Sequence, residues 1–197
     1  FSDPAPYAFP DPFGTKTTYS IMNNEILTIP RYLKIGHLEV RSSGSDDEAA
    51  KVMASMGLLS DHPLHLGKAI VSPLAMMQKL MPAPPTPKEL NSLMRKGLVR
   101  NGYFALSIEV AAERGWRTIK KTAWISFPSQ KQLCKRGIDA TFIAYPAGIC
   151  AAAFALEVPN VQKYGAMPPE ALPMANRTHI MVNMRRFLVP IPSEMLD

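Results

Sequence analysis

Apolar and polar positions change period several times along the chain, and each change marks an element. "TKTTYSIMN" (15–23) alternates and is rich in Thr and Tyr, which predicts a strand. "NNE" can turn the chain, "ILTIP" (26–30) is predicted to return as a second strand, and Pro30 closes it or puts it at an edge. "HLEVRSSG" (37–44) is predicted as a third strand, with Leu38 and Val40 on one face and Glu39 and Arg41 on the other. The period then becomes helical. "SDDEAAKVMASMGLL" (45–59) offers Ser45 as N-cap with Glu48 completing a capping box and acids in the first turn. Val52, Met53 and Met56 form its apolar stripe, and Gly57 stands where the helix should stop. "SPLAMMQKLMP" (72–82) reads as a second helix capped by Ser72 with Pro73 at its first position, its methionines core filler. "PAPPTP" (82–87) is a linker or a break, and Thr86 caps a third helix that ends at Gly97.

Alternation returns over 103–127. Tyr103–Ala111 and Thr118–Phe127 are the predicted arms of a β-hairpin that turns around "ERGW". "SQKQLCKRG" (129–137) is polar and reads as a loop. A long apolar helix is predicted from about Asp139 to Glu157, and "THIMVNMRRFLVP" (178–190) is helical in its first part before a proline-rich tail. Strands, helices, a hairpin and more helices, with neither βαβ alternation nor a repeat, indicate an α+β fold. The expectation is a mostly antiparallel or mixed sheet with helices packed on one face. Residues 1–14, "FSDPAPYAFPDPFG", read as an extended lead-in and 15–197 as a single domain. The lead-in has the look of chain arriving from elsewhere, so the expectation is a piece of a larger protein.

Composition adds limits. Of the 197 residues 47% are hydrophobic and 19% charged, a globular balance that excludes a disordered chain. The net charge of +6 raises the question of nucleic acid, but the densest basic stretches, "KQLCKRG" and "RTIKK", form no nucleic-acid motif. An anionic small molecule or an acidic partner domain explains the charge equally well. Cys134 and Cys150 fit no zinc spacing, and with no signal peptide a reducing, cytoplasmic compartment is expected. Phe142–Leu156 is too short to span a bilayer and is interrupted by Pro146. No G-x-G-x-x-G, Walker A loop or G-x-S-x-G elbow is present.

Candidate chemistry is sparse. His62 and His65 are three apart, but Pro63 lies between them and a solvated loop is the simpler reading than a metal pair. "RSSGSDD" could cradle an anion at a helix start, although Asp46 and Asp47 already occupy that positive end. Arg31, Tyr32, Lys34 and Arg41 form a basic group around two predicted strand ends. They read either as a carboxylate clamp or as a solvated sheet face.

Several stretches, taken in order, resemble the saccharopine dehydrogenase-like family of NAD(P)-dependent oxidoreductases. The lead-in is similar to the proline-rich passage by which that family's chain leaves its nucleotide domain. "ILTIPRYLKIGHLEVRSSGSDDEAAKVMASMGLL" resembles its strand-plus-helix segment, and "FALSIEV" with "TIKKTAWISFP" its following hairpin. Tyr145-Pro146-Ala147, with Gly165, Pro168, Pro169 and Glu170, resembles its Tyr-Pro-Ala helix and Gly-x-x-Pro-Pro-Glu turn. The resemblance implies the family's second domain, a large sheet covered by helices, similar to the C-terminal domain of glyceraldehyde-3-phosphate dehydrogenase-like proteins. It implies substrate-binding and dimerisation roles beside an N-terminal Rossmann domain of the same protein. The activity implied is oxidoreduction at a C–N bond of a small amino-acid-like substrate. NAD or NADP would bind the full-length protein and not this piece, which would be inactive alone, hold no metal and contact neither membrane nor nucleic acid. Arg41 matches the arginine ending the family's strand and Tyr145 its Tyr-Pro, and with Arg31 and Tyr32 they are the candidate substrate contacts. Where the family has a polar Arg-Thr-Thr-Gly, this chain has Thr141, Phe142, Ile143 and Ala144, which implies a more apolar substrate. A stand-alone binding or structural module and a basic nucleic-acid binder are the alternatives.

Overall fold

The computed structural model describes residues 2–161 and 165–187. The chain is α+β, as the pattern predicts, and its contacts group it into two compact units. Of the described residues, 2–27 and 35–84 form the first, and 28–34, 85–161 and 165–187 form the second. The sequence boundary at residue 14 falls inside the first unit, because the lead-in is itself a paired strand.

In the first unit, β1 (Ser2–Ala8), β2 (Thr15–Ser20) and β3 (Arg41–Ser42) form an antiparallel sheet in that order. Tyr7 faces Lys16 and Tyr19 faces Ser42. Only two residues of the strand expected over 37–44 are paired. The "ILTIP" strand is corrected outright: the segment lies within helix α1 (Asn24–Tyr32). Asn23 ends the strand region and accepts from the Asn24 N–H through its side chain and from the Ile26 N–H through its carbonyl. Ile26, Ile29 and Leu33 then recur at helical spacing, and Glu25 and Arg31 complement the helix dipole at opposite ends. Arg31 and Tyr32 thus belong to a last helical turn, not to a strand end.

Helix α2 (Asp47–Ser55) begins later than expected. Ser45 does not cap it; the Asp47 carboxylate accepts from the Gly44 N–H at 2.7 Å and so holds the preceding turn. Leu64–Leu66 (β4) and Ala69–Val71 (β5) form a small hairpin that carries His65, where a loop was expected. Helix α3 (Pro73–Leu80) follows, with Ser72 accepting from Ala75 N and Pro73 at the first turn as predicted.

The second unit opens with α4 (Pro87–Arg95), closed at its start by a reciprocal capping box between Thr86 and Glu89. Strands β6 (Ala105–Arg114) and β7 (Arg117–Ser126) pair in unbroken register around a two-residue turn at Gly115 and Trp116, matching the predicted hairpin to within a few residues. "SQKQLCKRG" is corrected from loop to helix α5 (Gln130–Lys135). Ser129 and Gln132 form a capping box, and Gly137, at φ +69, adopts the left-handed conformation that ends the helix.

Helix α6 (Ala144–Glu157) starts five residues after the predicted Asp139, because residues 138–142 are held elsewhere. Asn91 donates to Ile138 O and Asp139 Oδ1. Gln130 donates to Asn91 Oδ1 and Ala140 O, and accepts from Phe142 N. Asn91 and Gln130 are 2% and 1% exposed, so this network is buried and spans α4, α5 and the approach to α6. Short 3₁₀ turns at Val158–Asn160 and Pro169–Ala171 lead to α7 (Met174–Arg186).

Helix α6 is the centre of the unit. Ile149 packs with Ile125 and Phe127 of the hairpin base, joined by Phe104, Tyr145, Met181, Met184 and Phe187. Ala153 packs with Leu172 and Ile180, joined by Phe154, Val161 and Met167. Full burial of each large apolar side chain is worth about 1.5–3 kcal/mol. The apolar helix therefore covers α7 and the foot of a hairpin, not the inner face of a large sheet. The described strands form three separate sheets of three, two and two strands.

Candidate functional site

Helices α6 and α7 run antiparallel, as their end contacts show. At one end Tyr145 Oη donates to Phe187 O at 3.3 Å. At the other, Glu157 meets Asn176 and His179. Glu157 is 2% exposed and sits at the C-terminal end of α6, where burial and the helix dipole both oppose a negative charge. Its neighbours reverse that balance. Asn176 Nδ2 donates to Oε1 at 2.6 Å, Asn160 Nδ2 donates to Oε2 at 3.3 Å, and His179 Nδ1 approaches Oε1 at 3.5 Å. The Asn176 hydrogen bond, with smaller help from Asn160 and His179, holds the Glu157 carboxyl below the usual carboxylate range.

A cavity of about 300 Å³ opens beside this carboxylate, between Glu157 and Asn160 on one side and His179, Asn183 and Arg186 on the other. Leu156 and Val182 supply its apolar flanks. On α7, Asn176, His179, Asn183 and Arg186 recur at three- and four-residue steps, so they share one helix face. That spacing is visible in "NRTHIMVNMRR", but it is uninformative until Glu157 is known to lie opposite. Such an arrangement combines a fixed anion, an imidazole held against it and a cation two turns further on. It can bind a small polar molecule and orient the His179 ring.

The four residues singled out from the sequence are placed otherwise. Arg41 lies on β3 of the first unit, where Nε donates to Thr18 Oγ1 at 3.0 Å and Nη1 bonds Asp3 Oδ2 at 2.8 Å and Ser20 Oγ at 3.1 Å. It also bonds Glu39 Oε1 and the Asp3 carbonyl. Hydrogen bonding to Asp3 raises the Arg41 pKa, and both carboxyls are lowered, Asp3 chiefly by Arg41 and Glu39 chiefly by Ser20. The guanidinium is thus a clamp on carboxylates of its own sheet, tying β1 to β3. Arg31 and Tyr32 are exposed on the last turn of α1, and Tyr145 is half-buried at the start of α6. Neither unit by itself assembles all four.

The segment matched to the family's polar edge has a packing role. Thr141 Oγ1 accepts from Ala144 N at 3.0 Å and its carbonyl accepts from Tyr145 N, which starts α6. The Phe142 ring lies directly against Gly102. Cys134 and Cys150 are free thiols, and burial pushes the Cys150 thiol up. Among the described residues no group of three or more His, Cys, Asp or Glu side chains could hold a metal ion. No described helix is long and apolar enough to cross a membrane. Compared with known protein families the chain matches none, and no curated protein matches it.

Proposed function

We propose that the chain is the substrate-binding and dimerisation domain of a saccharopine dehydrogenase-like oxidoreductase acting on a C–N bond of an amino-acid-like substrate. One observation carries this reading. The residues with the most specific resemblance, Tyr145-Pro146-Ala147 and Pro168-Pro169-Glu170, open the central helix α6 and the approach to α7 of one packed unit. Tyr145 is anchored through its hydroxyl at Phe187, which supports a positioned rather than a solvated side chain. In this reading the chain shapes a cleft wall. NAD or NADP binds an N-terminal Rossmann domain of the same protein, which supplies the hydride chemistry, and the assembly is a homodimer. A fold similar to the C-terminal domain of glyceraldehyde-3-phosphate dehydrogenase-like proteins belongs to the same proposal, as does a cytoplasmic location.

The test uses the longer reading frame. Its product should turn over reduced or oxidised nicotinamide with at least one member of a panel of amino and imino acids, and should sediment as a dimer. The present chain alone should do neither redox turnover nor dinucleotide capture. Tight NAD(P)H binding by this chain, or a longer frame without a strand–Gly-x-Gly-x-x-Gly–helix, ends the proposal. The second outcome favours a stand-alone binding module, for which the cavity beside Glu157 is the structural argument.

A further inference from the structure

We infer that the cavity between α6 and α7 binds a primary ammonium group carried on a short apolar chain. This inference is independent of the oxidoreductase reading. It starts from charge. Glu157, almost wholly buried on the cavity wall, is the last residue of α6, so its carboxylate and the negative end of the helix dipole act at one place. No Lys or Arg stands in the last turn of α6 to offset them. The hydrogen bond from Asn176, with a smaller one from Asn160, keeps the carboxyl ionised. Buried charges are paired, so an anion on a cavity wall calls for a cation in the cavity.

Hydrogen-bonding capacity narrows the kind of cation. A carboxylate offers about four lone-pair sites. Asn176 and His179 both address Oε1, whereas Asn160 alone reaches Oε2, at 3.3 Å, so Oε2 can accept from a further donor. Asn160 uses its Nδ2 in that bond, and its side-chain oxygen has no partner among the described residues. The His179 nitrogen turned to the carboxylate is Nδ1; a carboxylate only accepts, so Nδ1 carries the proton and the neutral ring presents Nε2 as an acceptor. All three residues line the cavity. Three acceptors match the three N–H donors of an ammonium, which has no acceptor of its own. Leu156 and Val182 flank them with apolar surface for a carbon chain, and a volume of about 300 Å³ keeps that chain short. Arg186 is a like charge on the same wall, but it is exposed and stands two turns of α7, about 10 Å, beyond His179. Water and salt screen an exposed charge over that distance.

The experiment titrates the ¹⁵N-labelled full chain with propylammonium chloride at constant pH and ionic strength. The readout is the His179 ring nitrogens and the Asn160 side-chain amide. Saturable, coupled shifts of both support the site. Tetramethylammonium, which has the same charge and no N–H donor, and propionate, of opposite charge, should give only linear shifts. Glu157→Gln should weaken propylammonium binding by about tenfold or more, the loss expected for a charge-assisted hydrogen bond. His179 is exposed, so His179→Phe tests the second acceptor on a fold that is kept, and it should weaken binding several-fold. Arg186→Gln, which removes the like charge, should leave binding unchanged or tighten it. Linear shifts with propylammonium, saturation by propionate, equal affinity for tetramethylammonium, or weaker binding in Arg186→Gln would overturn the inference.

Discussion

Replacing Gly102 by Ala tests the packing of the second unit at its tightest point. A Cβ built there lies 2.2, 2.4 and 2.7 Å from Cε1, Cδ1 and Cζ of Phe142. Carbon atoms rest about 3.5–4.0 Å apart, so one partner must give by about 1 Å or more. Neither is free to do so. Gly102 O accepts from Gln130 N at 2.9 Å, and Phe142 N donates to Gln130 Oε1 at 2.9 Å, so the same buried glutamine holds both. Overpacking of this kind costs about 1–3 kcal/mol. The stiffer unfolded chain returns about 0.4–1 kcal/mol, leaving a net loss of about 1–2 kcal/mol. Urea unfolding followed by tryptophan fluorescence reads this unit, because Trp116 and Trp124, the chain's two tryptophans, both belong to its hairpin. The midpoint should fall. In a double-mutant cycle with Phe142→Leu, the two changes should couple by about 1 kcal/mol, since removing the ring edge makes room for the methyl group. A midpoint that rises in Gly102→Ala, or a strictly additive cycle, refutes the contact.

Asn91→Ala removes the node that joins Ile138, Asp139 and Gln130, leaving buried polar groups unpaired. It should cost about 2–3 kcal/mol in the same unfolding assay. Thr86→Ala deletes one half of the α4 capping box and should cost about 1 kcal/mol, seen as faster amide exchange at Glu89. The Glu157 carboxyl has a folded pKa below the ordinary value of 4.5, so its contribution to stability is complete above that value and is lost as pH falls through the lower folded one. The unfolding midpoint should therefore drop on acidification below about 4.5, and Glu157→Gln should flatten that part of the profile. Arg41→Met should let the Asp3 carboxyl titrate at a higher pH, because its largest lowering influence is the hydrogen bond from Arg41. Carbonyl NMR measures this directly.

Much of the local structure is legible in single stretches because its causes act over a few residues. Ser72 with Pro73, Thr86 with Pro87, and the alternation of 105–126 each place an element through contacts with chain neighbours or a two-residue turn. The capping box of Ser129 and Gln132 is equally local, and its three-residue spacing followed by Gly137 was available to show a helix where polarity suggested a loop. "ILTIP" misleads because β-branched residues favour strands only when a sheet receives them. Here Asn23 starts a helix instead, and the chain's antiparallel sheet takes Arg41 and Ser42 as its third strand.

The candidate site belongs to the other category. Glu157 and Asn176 are 19 residues apart, Asn91 and Gln130 are 39 apart, and Arg41 and Asp3 are 38 apart. No periodicity within a helix or strand encodes such pairs. The sequence alone determined an α+β chain, the starts of α3 and α4 and the long β6–β7 hairpin, because capping and alternation are short-range forces. Only the tertiary structure decided that Arg41 is engaged by its own sheet's carboxylates and that a buried glutamate faces His179 across two helix ends. Burial and charge pairing depend on what the fold brings opposite a residue, and the chain's local pattern carries no record of it.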